Sequence, residues 1–516
     1  MPKSAVQNWV TQPVPQTEKT LSRQVLNNAG GYVFTVSEHE RLIRFLVLGT
    51  DKGTYYASER DITKENVDFL LQMIKGNEVE VVDTVVDVSV NARAPKNSNA
   101  LFVLALVFVH GQNKAYVRTA LPKVARTATH LFEFMFYLKS MGGLGRSKRK
   151  AIADWYTSKE IDDLAYQIVK YRNRHGFTHK DAIALSHPKH LPHDVVAYLF
   201  GREYDVNELP QVIQDFLKAQ KMTKVKDAVA LIKTSSLPWE AFSTDLHKEP
   251  TFWKALVEKG MGQTALLRNV TRFHKLDLFK DLDFVDLVAT QLSDQEKIVK
   301  GRLNPVNYLN ALGMYRKISG YNARIAGALE NGYLLAFKNV EPANKRTLIA
   351  LDVSGSMGWD SPAGLVGMTA REASAAMMQV TLCTEPKVHV VAFTSKVTPL
   401  DVSTKDSLEA LIARVSYRPL GSTDVGAAIQ YAISKNLEVD TFVIYTDNET
   451  YYGPVHVHKL LEKYRRQSGI QARLIVVGMT ATPYSVVDDE DPNSLNVVGF
   501  DLAAPGVIAD FSARRI

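Results

Sequence analysis

The chain has 516 residues and one cysteine, Cys383. A lone thiol excludes internal disulfides and cysteine-rich zinc sites, and it suits a reducing compartment. Long hydrophobic runs are also missing. The longest, Ala100 to Val109, is far short of the roughly 18 residues that a membrane span requires. The opening stretch MPKSAVQNWVTQPVPQTEKT lacks the apolar core of a signal peptide, so a cytoplasmic location is expected. What remains is an ordinary globular composition, 46% hydrophobic and 23% charged, in a chain too long for one core.

Charge is unevenly spread. From Arg346 onward 15 Lys and Arg face 19 Asp and Glu, a net of −4, whereas residues 1–345 carry a net of +11. A polyanionic partner therefore suits the N-terminal two-thirds. Residues 60 to about 340 read as successive amphipathic segments, among them DITKENVDFLLQMIK, LFEFMFYLKSM, KEIDDLAYQIVKY and GQTALLRNVTRF, separated by short Gly, Pro or polar turns. Such a run predicts helix pairs stacked as a degenerate HEAT-like array, with a compact helical domain as the alternative. Past EPANKR (341–346) the texture changes. Short β-branched runs (TLIALDVS, KVHVVAFT, TFVIYTDN, RLIVVGMT, LNVVGFD) alternate with amphipathic helices, predicting a parallel sheet covered on both faces. The expected domains are thus 1–345, helical, and 346–516, α/β.

In the second domain the strand TLIAL ends in Asp352-x-Ser354-x-Ser356, three oxygen-bearing side chains at a strand tip, where α/β sheets bind ligands. Neither serine has the G-x-S-x-G frame of a hydrolase, and no lysine opens the next helix as in a phosphate loop. Hard divalent cations want five or six oxygens. Thr423 in GSTD and Asp447 in FVIYTDNET offer more of them. Any one of these residues could instead be a helix cap. The set of five resembles the metal-ion-dependent adhesion site of von Willebrand factor A domains. That likeness implies a Mg²⁺-like ion with one position open to a partner's acidic side chain, and binding without turnover. An empty or purely structural site is the alternative.

In the first domain, ten Lys or Arg lie between Lys139 and Lys180 against four Asp or Glu, interleaved with Trp155, Tyr156, Tyr171, His175, Phe177 and His179. Cations supply affinity for phosphates, while aromatic and imidazole rings stack on exposed bases. Trp155 reads as core. Lys170 and Arg174, four apart, would share one face if the helix continued through both. His187 and Lys189 fall at a surface turn before Leu191-Pro192.

The stretches GGYVFTV (30–36), GTYYAS (53–58), RKAIADWY (149–156), THKDAIALSHPK (178–189), TALLRN (264–269), DVSGSM, FVIYTDNET and LIVVGMT together resemble the Ro autoantigen, or TROVE-domain, family. The resemblance implies a ring of HEAT-like repeats closed by the A domain, without enzymatic activity. Its outer surface would bind small noncoding Y or Y-like RNA, and its central hole the single-stranded 3′ ends of misfolded or immature RNAs. The family's RNA contacts fall on Lys170, Arg174 and His187, with Arg172 as a further outer contact. Arg146, Lys148, Arg149 and Lys150 are candidates for the hole by charge alone. The single cysteine and short N-terminal lead fit a bacterial or phage member. In such members a Y-like RNA tethers an exoribonuclease in RNA processing and decay. The competing reading is a metal-dependent, adhesion-type scaffold whose helical array binds protein. A chelatase-like subunit would need an ATPase signature, and none is seen.

Overall fold

A computed structural model describes residues 13–49, 59–337, 340–359, 368–416 and 421–516. The GTYYAS stretch (53–58) lies outside the described residues. Two compact units emerge: residues 68–92 with 96–336, and residues 1–67 with 93–95 and 337–516. This division does not follow a cut at 345/346. The reason is long-range, since residues 13–48 pair and pack with parts of the chain beyond 420.

The first of these units is a succession of helices that pack on neighbours one to three helices away in sequence. Ser98–His110 lies against Lys114–Val124 and Ala128–Ser140, Val225–Thr234 against Pro250–Lys259, and Pro305–Arg316 against Ala323–Ala336. Their starts are written in the sequence. Asn113, Thr127, Asp281 and Asp294 cap backbone N–H groups with their side chains, Thr178 and Asp181 form a reciprocal capping box, and Pro305 opens a helix as its first residue. Each such cap contributes about 1 kcal/mol. The long helix Glu59–Val90 is broken at Asn77 (φ −151°, ψ 77°), just after Gly76, where helix propensity is weakest. Trp155 is fully buried and donates its indole N–H to the Ala125 carbonyl, so it belongs to the core.

Two histidines of this unit make a pH prediction. Burial, with Arg126 nearby for His130, pushes His130 and His179 down to about 4. An unfolded imidazole takes its proton near 6.5, so the unfolded state binds more protons between those values. Stability held above pH 6.5 is therefore lost as pH falls towards 4. The urea midpoint is expected to drop between pH 7 and 5, and His130→Gln with His179→Gln to flatten that slope. A double variant as steep as the parent would contradict it.

The second unit is built on a six-stranded sheet in the order Ser494–Val498, Arg473–Gly478, Thr441–Thr446, Arg346–Asp352, Lys387–Phe393, Val397–Pro399. The first five are mutually parallel, with Ile349 opposite Val390 and Val443. Val397–Pro399 runs antiparallel at the edge, a strand the sequence reading did not anticipate. Proline interrupts a strand signal, and an edge is where a sheet tolerates one. Leu348 and Ala350 pack with Ile429, Leu460 and Tyr464 of the helices Ala427–Ser434 and Val457–Ser468. Ile349 and Leu351 are equally buried and point the other way, which is why the strand reads as an unbroken apolar run.

Residues 13–48 complete this unit. Tyr32–Thr35 pairs antiparallel with Tyr484–Ser485. A Cβ on Gly31 would lie 1.8 Å from the Thr450 carbonyl oxygen, so only glycine permits this approach. From the helix Glu38–Leu48, the buried Arg44 guanidinium donates to the carbonyls of Thr482 and Tyr484 at 2.8 Å each. Among the described residues no helix is long and apolar enough to cross a membrane.

Candidate functional site

Asp352 is the last residue of the central strand, and Asp447 follows the last residue of its neighbour Thr441–Thr446. Parallel register between these strands brings the two carboxylates to the same end of the sheet. Asp352 accepts from the Ser354 backbone N–H at 2.9 Å and from the Thr446 hydroxyl at 2.7 Å. The Ser354 and Ser356 hydroxyl oxygens stand 3.3 Å apart, and Asp447 Oδ1 accepts from the Glu449 backbone N–H at 3.0 Å. The loop bearing Thr423 is fastened to the same end. Asp424 N–H donates to Thr394, just past strand Lys387–Phe393, and the Thr423 carbonyl accepts from Tyr451 and Tyr452. All five sequence candidates are buried, none more than 2% exposed.

The electrostatics of this cluster are unbalanced. Burial raises both Asp352 and Asp447, and for Asp352 the neighbouring charge of Asp447 adds to the effect. One oxygen of Asp447, Oδ2, is buried with no hydrogen-bond partner. An unsatisfied buried carboxylate oxygen costs several kcal/mol on the order of magnitude scale unless a cation meets it. Two carboxylates and three hydroxyls are the oxygen donors a hard divalent ion takes. Only two of the five candidates are carboxylates, so serine and threonine oxygens make up the rest of this set. The residues fit such an ion.

Other residues around the cluster were not singled out in the sequence. Arg371, buried in the helix Ala370–Thr384, donates to the carbonyls of Val353 and Ser354 at 2.8 Å each and fixes the Asp-x-Ser-x-Ser loop from behind. Glu449 is pushed up to about 7 by burial and by Asp447; it accepts from Ala29 N–H, Asn28 and the Tyr484 hydroxyl. Asp424 accepts from Gln16 Nε2 at 2.9 Å, and burial raises it to about 6. Glu449 could have been suspected from its place in DNET. Gln16, Asn27 and Asn28 could not, because their partners lie more than 400 residues away.

The basic candidates lie in the helical unit. Lys170 ends the helix Ile161–Lys170, half-buried, 3.3 Å from the Tyr166 hydroxyl and over the rings of Tyr166 and Tyr171 at 5.4 Å. Arg174 does not continue that helix. It sits exposed in a hairpin, Asn173–Arg174 against Phe177–Thr178, so the shared helical face read from the i, i+4 spacing is corrected. The cause is the His175-Gly176 turn, with φ of +51° and +76°, the pattern of a tight two-residue hairpin loop. Arg172 is exposed and packs over the Phe216 ring at 5.5 Å. His187 is exposed in a left-handed C-cap of the helix His179–Ser186, and Lys189 is exposed beyond it.

The helix Arg146–Thr157 carries the remaining candidates. Arg146 is exposed. Lys148 donates to the Gly143 carbonyl at 2.7 Å, Arg149 to the Leu144 carbonyl at 2.9 Å, and Lys150 faces Asp154 at 3.9 Å. Lys148 and Arg149 thus also serve as braces for the glycine turn before the helix.

A parallel sheet with this oxygen cluster at its tip defines a von Willebrand A-type domain, carried in one chain with an array of helices. Family comparison agrees with both parts: residues 346–512 match the Ro60 vWA domain, and residues 25–236 and 232–325 match the TROVE domain. The chain is 38% identical to "RNA-binding protein RO60" of Deinococcus radiodurans, covering 97% of this chain and 98% of the relative. It is 31% identical to the protein of the same name from Caenorhabditis elegans, covering 97% and 92%. The crystal structure of the Deinococcus radiodurans RO (RSR) protein superposes with a TM-score of 0.68 at 36% identity, over 93% of this chain and all of that one. The chain belongs to the Ro family of TROVE-domain proteins.

Proposed function

We propose that this chain is an RNA-binding protein of a small ribonucleoprotein, as its relatives are named. Its helical unit would hold a Y or Y-like noncoding RNA through Lys170, Arg172, Arg174 and His187. It would also accept single-stranded 3′ ends of misfolded or immature RNA, with Arg146, Lys148, Arg149 and Lys150 as candidate contacts. One observation carries this reading: Arg172, Arg174, His187 and Lys189 are solvent-exposed within one short stretch, in the part of the chain that holds the whole positive excess. Exposed cations are free to replace the counterions of a phosphate backbone. The role is quality control, processing or decay of RNA in the cytoplasm, with an exoribonuclease as a partner tethered through the RNA. No catalytic step is assigned to the chain.

For the A-type domain, we propose that Asp352, Ser354, Ser356, Thr423 and Asp447 hold Mg²⁺, some through water. Bound there, the ion would supply a position open to an acidic side chain of a partner protein. The orphaned Asp447 Oδ2 supports this reading. The scaffold alternative, in which the helices bind protein, lacks a reason for the charge excess.

The test of the RNA reading is sequencing of RNA crosslinked to the chain in its own cells. One abundant small RNA together with ragged 3′ ends is expected. Recovery of background messenger fragments alone would contradict it.

A further inference from the structure

Away from the cations already named, the helix Ala128–Ser140 exposes an aromatic ring where the core gives it no reason to be. Phe136 is 41% exposed, while its neighbours Phe132, Phe134 and Met135 are fully buried. The His175 imidazole lies on it, ring centroids 5.0 Å apart and planes inclined by 24°. His175 is itself exposed, at the tip of the hairpin, with a φ of +51°. Left-handed backbone costs a histidine free energy that glycine or asparagine would not spend, and here that conformation delivers the ring to Phe136. The outcome is a stacked pair of exposed rings on a braced hairpin.

Cations flank the pair along the chain. Lys139 is one helical turn beyond Phe136 and exposed, its Nζ 5.6 Å from the Phe177 ring centroid. Arg174 precedes His175, and Arg172 precedes the hairpin. None of these three has a carboxylate partner among the described residues. A flat aromatic face set among uncompensated positive charges matches a nucleotide, with a base for the rings and a phosphate for the cations. It does not match an apolar peptide segment, which would bury Lys139 and Arg174 unpaired.

We infer that Phe136 and His175 form a stacking platform for an unpaired nucleobase, beside the phosphate-binding cations. This rests on the RNA reading above and sharpens it: the RNA must present an unstacked base, from a loop, bulge or single strand, at this point. A paired stem has its bases occupied and gains nothing here.

The test uses the full chain and two probes, a single-stranded oligouridylate of about 12 nucleotides carrying one 2-aminopurine and a blunt duplex of the same length. The expected result is that Phe136→Leu, which keeps bulk and loses the π face, weakens the single strand about tenfold. It is expected to leave duplex affinity, the salt slope and the thermal midpoint unchanged. Phe136→Trp should restore single-strand affinity and quench the 2-aminopurine. Parental binding of the single strand by Phe136→Leu, or a lowered thermal midpoint with unchanged affinity, would overturn the platform alone and make the ring pair a structural pin. Failure of the parent chain to bind either probe would overturn the platform and the RNA reading together.

Discussion

Replacing Lys170 and Arg174 together with alanine is expected to weaken structured small-RNA binding by about one to two orders of magnitude near physiological salt. The slope of log affinity against log salt should fall by about one to two units, because each lost phosphate contact retains its counterions. The structure explains why the effect should be large for so few charges. Lys170 is held by the Tyr166 hydroxyl and two aromatic rings, so little side-chain entropy is lost when its ammonium meets a phosphate. Arg174 is carried on a closed hairpin instead of a loose loop. Fluorescence anisotropy over a salt series reads both quantities. Lowered affinity at constant slope would remove these two residues from the phosphate contacts, while an unaltered affinity would remove them from the interface.

The second large effect is expected at the sheet tip. Asp447→Asn is expected to abolish Mg²⁺ binding and with it the rise in thermal midpoint that Mg²⁺ is expected to give the parent. That rise corresponds to about 2.7 kcal/mol at a hundredfold excess over Kd. In metal-free buffer the sign reverses. Removing one of two buried like charges relieves Asp352, so metal-free Asp447→Asn should be more stable than the metal-free parent by on the order of 1 kcal/mol or more. Scanning calorimetry with and without Mg²⁺ separates the two outcomes, and RNA affinity should stay near the parental value. A variant that is destabilised in both buffers would mean that Asp447 is structural.

How much of this was legible in the sequence depends on the range of the interaction. The strand–helix alternation and the Asp352-x-Ser354-x-Ser356 tip are local patterns, and they landed where the β-branched runs and alternate spacing put them. Asp447 was legible for the same reason, as an acid ending an apolar strand. Arg174 was misplaced because a four-residue spacing says nothing about whether the helix survives. Arg-His-Gly was the signal that it does not, and its weight lay in the left-handed φ of His175. Val397–Pro399 is too short to announce itself. The contacts of Gln16, Asn27 and Asn28 with the loops around Asp447 were illegible in principle, since no local pattern encodes a partner at such a distance.

That last feature bears on how the chain is made. Asn28 meets Tyr484 across 456 residues, and Gly31 has a place only once the Thr450 loop exists. During synthesis the N-terminal segment can form only its own short hairpin, Val25–Leu26 against Tyr32–Thr35. At roughly 5–20 residues per second it waits about half a minute or longer, the second edge of Tyr32–Thr35 open throughout. The helical unit, rich in short-range contacts, has time to fold in that interval. The sheet unit can close only after translation is almost finished. Nascent chains stalled before residue 484 should therefore carry an open strand edge, the kind of surface that chaperones hold and that neighbouring polysomes can join.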